Sequence, residues 1–139
     1  MTVDSITVTD TPAKKSVGHK VGIGISILVG AFLVFDAVGK LVGFQQVKEG
    51  TAALGFPEGQ ALVIGIVLTA CLIVFAIPRT AVLGALGLTA YLGGAVTANM
   101  RIEAPLFSTV LFAVYFGVLM WVGMVLRRPE LLRVAGLRR

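Results

Sequence analysis

Apolar residues in this chain fall into four long runs separated by short polar segments, at roughly 21–43, 61–77, 81–98 and 106–126. Each approaches the ~20 residues that a helix rising 1.5 Å per residue needs to cross ~30 Å of hydrocarbon. Hydrocarbon offers no partner to a bare N–H or C=O, so runs of this length predict helices. A membrane barrel would show period-two alternation in shorter strands, and the chain has none. The pattern predicts an all-α membrane protein: an antiparallel bundle of four transmembrane helices over residues 21–126, with tails at 1–20 and 127–139.

Finer patterning assigns faces. In the first run Gly22, Ser26, Gly30, Leu33, Asp36, Ala37 and Lys40 share one side of a helical wheel, and Ile27, Leu28, Ala31, Phe35, Val38 and Val42 share the other. Small residues let backbones approach closely, so the first side should face the bundle. Between the first two runs, Val47–Leu54 suits a short interfacial helix ended by Gly55 and Pro57. Pro78 and Arg79 mark a tight turn that makes the second and third helices antiparallel neighbours, with Thr80 a candidate N-cap. The third run, with Gly84, Gly87, Gly93 and Gly94, should be the central, most closely packed helix. Pro105 suits the first turn of the fourth, and Trp121 suits an interfacial aromatic belt.

Composition supports a lipid environment. Hydrophobic residues make up 57% and charged residues only 14%, too little polar surface for a soluble domain of this length. The net charge of +5 invites a nucleic-acid reading, but its distribution argues otherwise. Lys14, Lys15, Lys20, Arg79, Arg127, Arg128, Arg133, Arg138 and Arg139 all fall on one side of a four-span bundle, while Lys48 and Arg101 alone occupy the opposite loops. That asymmetry places both ends in the cytoplasm, with no nucleic-acid partner. The polar start lacks the apolar core of a cleavable signal and reads as a disordered cytoplasmic tail. Cys71 is the single cysteine and His19 the single histidine, so no internal disulfide, zinc site or haem site is expected.

The exception to the apolar pattern is Asp36 with Lys40, four residues apart and thus able to pair along one helix face. A charge at the centre of a span costs about 2.5–3.5 kcal/mol. Lys40 lies about 12 Å from the centre of its run and can extend its ammonium outward, whereas Asp36, at about 6 Å, needs a partner. Antiparallel packing would gather Asp36, Lys40, Thr97, Asn99, Arg101, Glu103 and Ser108 at one depth, under Gln45 and Gln46, with Tyr115 beside them. An ionisable cluster at that depth is either a clasp that fixes packing or a functional site. Tyr91 lies within a span and reads as a packing residue.

Several stretches resemble the DoxX-like family of small bacterial membrane proteins: FDAVGKLVG, LGFPEG, IPRTAVLGA and TAYLGGAVTANMRIEAPLFSTVLFAVYFGVLMWVG. The resemblance covers about residues 21–130 and includes Asp36, Lys40 and Arg101. It implies a bacterial cytoplasmic (inner) membrane location. The family takes its name from a subunit of a quinone-linked oxidase system, and distant animal relatives assist assembly of other membrane proteins. Many relatives carry histidine where this chain has Asn99, and often another at Thr109, so proton-shuttle or metal chemistry is in doubt for this member.

Three functions remain open. The first is an accessory or assembly subunit without independent catalytic activity, acting through a homo-oligomer or a membrane partner. The second is a quinone-linked oxidoreductase subunit, or a lipid or small-ligand binder, using Asp36, Lys40, Asn99, Arg101 and Tyr115 around an apolar pocket. No covalently bound cofactor is expected in either case. The third is a small proton-coupled transporter; Asp36 is its only support, and Lys40 one turn away already engages that group.

Overall fold

The structure, a computed structural model, describes residues 16–137; the tail before Ser16 and the last two arginines lie outside the described residues. The chain folds into α1 (Val17–Val42), α2 (Gln45–Ala53), α3 (Gln60–Ala76), α4 (Ala81–Arg101), α5 (Leu111–Arg127) and α6 (Leu131–Val134). A π-helical turn, Leu106–Val110, leads directly into α5. There is no strand among the described residues. Three helical segments are long and apolar enough to cross a membrane: Val17–Val42, Ala81–Arg101 and Leu106–Arg127. The fourth apolar helix, α3, has 17 residues.

Local chemistry sets the ends of these helices. The first starts at Val17, earlier than its apolar run, because Ser16 accepts a hydrogen bond from the His19 N–H at 3.3 Å. His19 and Lys20 therefore belong to the first turn of α1 and not to a tail. It stops at Gly43, whose φ of 79° is the left-handed conformation that returns its N–H to the Gly39 carbonyl. The expected interfacial helix appears as α2, two residues earlier than its predicted start. Thr80 precedes α4 but does not cap it. Its hydroxyl donates back to the Val74 carbonyl at 2.9 Å, satisfying one of the acceptors that the end of α3 leaves open.

The four long helices pack in a ring, with α1 and α4 each lying against both α3 and α5. Glycine sets three of these contacts. A Cβ at Gly22 of α1 would fall 2.8 Å from the Gly123 carbonyl of α5. One at Gly65 of α3 would fall 2.8 Å from the Lys40 Cβ of α1, and one at Gly84 of α4 would fall 2.2 Å from the Phe75 nitrogen of α3. Each contact joins the start of one helix to the end of another, so neighbours run antiparallel. Val29, Leu33, Leu68, Leu88, Met120 and Met124 fill the centre.

The faces of α1 lie largely as the wheel predicts: Ile27, Leu28 and Phe35 look outward, while Gly22, Ser26, Leu33 and Ala37 are buried. Gly30 departs from the wheel. It meets nothing within 4 Å, and Val29 is the residue that enters the core there. The prediction for α4 also needs correction. Only its first half is tightly packed, since Gly93 and Gly94 face open space. Trp121 is partly buried and donates to the Thr89 hydroxyl at 2.8 Å, tying α5 to α4.

These contacts set an expectation for two glycines. Gly84→Ala forces its methyl into the backbone of Phe75 and should destabilise by about 1–3 kcal/mol, the usual cost of overpacking. Gly30→Ala should be neutral or slightly stabilising, because the site is open and alanine favours helix. Thermal unfolding in mild detergent, comparing both variants with the parent, measures the difference.

Candidate functional site

Asp36 and Lys40 lie one helical turn apart near the end of α1, and the Lys40 ammonium donates to one carboxylate oxygen of Asp36. The Tyr91 hydroxyl of α4 donates to the other oxygen at 3.2 Å. Both oxygens of the half-buried acid are thus met by a donor from the protein. Exposure is uneven, 13% for the Lys40 side chain and 30% for Asp36. The lysine stem is drawn in because Gly65 offers no side chain where the Lys40 Cβ lies. The ammonium carries three N–H groups and spends one on Asp36, so two remain for another acceptor.

This cluster forms part of the wall of a cavity of about 730 Å³ between α1, α4 and α5. Asn99 and Thr109 also line it. Asn99 donates to the Ala95 carbonyl at 2.8 Å, leaving its own side-chain oxygen as an acceptor. The rest of the wall is mainly apolar. Phe32, Phe112 and Phe116 form an aromatic group with ring centroids 4.5–5.5 Å apart. Val47, Thr51 and Leu54 of α2 close one end.

The π-helical turn borders the same cavity through Thr109. Its widened loop sends both the Thr109 and Val110 N–H groups to the Pro105 carbonyl, at 3.0 and 3.2 Å. Single π turns inside α-helices occur often at functional sites.

The structure brings together only some of the residues that the sequence singled out. Asp36, Lys40 and Asn99 meet around the cavity. Arg101 is exposed, its guanidinium lying over Gly55 in the α2–α3 connection. Glu103 and Ser108 are exposed, and Tyr115 is 51% exposed on the outward face of α5. Gln45 bonds Glu49 at 3.1 Å on the surface, and α2 covers the cavity with apolar side chains instead of glutamines.

Tyr91 is the residue that sequence reasoning missed, and a signal for it existed. Tyr91, Ala95 and Asn99 recur at spacing four and form the cavity face of α4. A second row at spacing four, Thr89, Gly93, Thr97 and Arg101, begins two residues earlier, about 200° around the helix. It therefore looks away from Asp36.

Chemically the site is a charge-balanced set of donors and acceptors in an apolar chamber. Among the described residues no group of histidine, cysteine, aspartate or glutamate is arranged to hold a metal ion. The sequence profile of the DoxX-like family matches residues 24–123. That interval contains every side chain lining the cavity. Searches of curated proteins and of solved structures found no match.

The cluster predicts strong coupling between its charges. Lys40→Met should destabilise by about 1–3 kcal/mol, because it leaves a half-buried carboxylate with one neutral donor. Adding Asp36→Asn should recover at least about 1 kcal/mol of that loss. A double-mutant cycle on unfolding in mixed micelles reads the coupling, and additive effects would mean that the pair contributes nothing.

Proposed function

The chain belongs to the DoxX-like family and is a membrane protein, and from that premise we propose that it is an accessory subunit of the bacterial cytoplasmic membrane that holds a small amphipathic ligand, a quinone or a lipid, for a partner protein. One observation carries this reading: Asp36, Lys40 and Tyr91 line a chamber of about 730 Å³ whose remaining wall is mostly apolar. Ligand pockets combine an apolar wall with a few placed polar groups in this way. The chain brings no nucleotide, flavin or haem motif of its own, so any electron transfer would depend on the partner.

The arrangement in the membrane follows from the same residues. We place four spans across the bilayer, with α3 as the shortest. Its 17 residues rise about 26 Å, and Phe56 and Arg79 beyond its ends suit the two interfaces. Both termini then lie in the cytoplasm, and the cavity occupies the outer half under α2. The transporter reading is weaker, because both oxygens of Asp36 are already engaged.

Two measurements test the proposal. Protein purified in mild detergent should release a near-stoichiometric quinone or lipid on organic extraction. Asp36→Ala should lose it while Gly30→Ala keeps it; equal retention in both would rule out this cavity. In a Cys71→Ala background, a membrane-impermeant maleimide applied to intact cells should label Lys48→Cys and spare Arg133→Cys. The reverse pattern would invert the arrangement.

A further inference from the structure

On the other side of the seam between α4 and α5 lies an apolar groove of about 590 Å³. We infer that this groove is the second half of the ligand site: it takes the single long hydrocarbon chain of a neutral amphiphile whose head sits at Asp36, Lys40 and Tyr91. The inference rests on the reading of the cavity as a ligand site and adds the chain, its path and the charge of the head.

Continuity is the first argument. Leu92 and Ala113 line both the cavity and the groove, so one layer of side chains separates them. These two residues occupy the seam between α4 and α5. Beside it Gly93 has nothing within 4 Å, and a Cβ at Gly117 would reach only the Leu92 side chain at 3.6 Å. A chain leaving the cavity here must turn the Leu92 side chain aside and pass over the small Ala113 methyl.

The lining of the groove gives the second argument. Its two side chains with polar atoms are Thr89 and Trp121, and they satisfy each other. The Thr89 hydroxyl accepts from the indole N–H at 2.8 Å and donates to the Ala85 carbonyl at 2.7 Å. Nothing remains free to bind a head group, so the groove suits methylenes.

Length and charge complete the case. From Ala113 to Leu126 the groove follows α5 for about 20 Å, at 1.5 Å per residue. Most of that path lies beyond the middle of the Leu106–Arg127 segment, away from the α2 end. The acyl chain of an ordinary lipid stops near the midplane, after about 15 Å of a 30 Å core. A chain anchored at Lys40 and lying in this groove passes that point. The head is neutral because Asp36 and Lys40 already balance each other, and an ionic head would bring an unpaired charge into the chamber.

Trp121 is the only tryptophan and lines the groove, so its fluorescence reports occupancy directly. The full chain in lipid nanodiscs is titrated with two probes: a benzoquinone without a chain, and the same ring bearing one long saturated chain brominated at its far end. We expect saturable quenching by the brominated probe. We also expect its advantage in affinity over the chainless ring to fall roughly tenfold in Gly93→Leu and Gly117→Leu, which fill space otherwise open to several methylenes. Asp36→Ala should weaken both probes. If the brominated probe binds but the advantage survives Gly93→Leu, the groove is not part of the site and the cavity reading stands. If binding and quenching are indifferent to Asp36→Ala, as bulk lipid would give, both readings fall. If neither probe binds, both readings fall.

Discussion

A carboxylate set among apolar helices needs donors from within the protein, and the two oxygens of Asp36 find Lys40 and Tyr91. Much of the architecture at this end of the bundle follows from that requirement. Lys40 comes from the same helix face one turn later, which the sequence supplies without any folding. Tyr91 comes from α4, across the ring, and reaches Asp36 only if α1 and α4 hold a set distance and rotation. The hydrogen bond therefore reports on the packing of the bundle as well as on the acid. Breaking the helix ring and exposing the charge are, at this point, one event.

The glycine contacts are what set that distance. Gly65 lets α3 pass against the root of Lys40, Gly84 lets α4 close on Phe75, and Gly22 meets Gly123 between α1 and α5. All of these lie between ring neighbours. The diagonal between α1 and α4 is kept apart by larger groups, and the cavity opens there beneath Phe32, Phe112 and Phe116. Close approach at the perimeter and open space on the diagonal arise from one distribution of glycine.

The same distribution explains what the sequence revealed and what it hid. Helix positions were legible because a lipid core demands long apolar runs, and α1 differs from its run by a few residues only where the Ser16 cap extends it. The inward turn of Asp36 and Lys40 was legible because Gly22, Ser26 and Leu33 mark that face. Tyr91 was not, because α4 carries two rows of candidates at spacing four, and composition does not say which row faces α1. The Thr89 and Gly93 row lies on the groove side and the Tyr91 and Asn99 row on the cavity side. Arg101, Glu103 and Ser108 share the right depth with Asp36 but point elsewhere, since depth constrains the distance along an axis and leaves rotation about it free.

Whether the polar group is a clasp or a site turns on the space beside it. A clasp that only fixed packing would sit in protein packed like an organic crystal, where voids beyond the size of a water molecule are few. The space of about 730 Å³ beside Asp36 and Lys40 is instead a cleft open at its sides, with two Lys40 donors unspent. Asn99 and Thr109 both open onto it. In this chain they offer an amide oxygen and a hydroxyl, groups that accept and donate hydrogen bonds without exchanging a proton near neutral pH. Neither position supplies the imidazole that a proton shuttle near neutral pH would use. Under the proposed reading, that combination favours holding a molecule over transforming it.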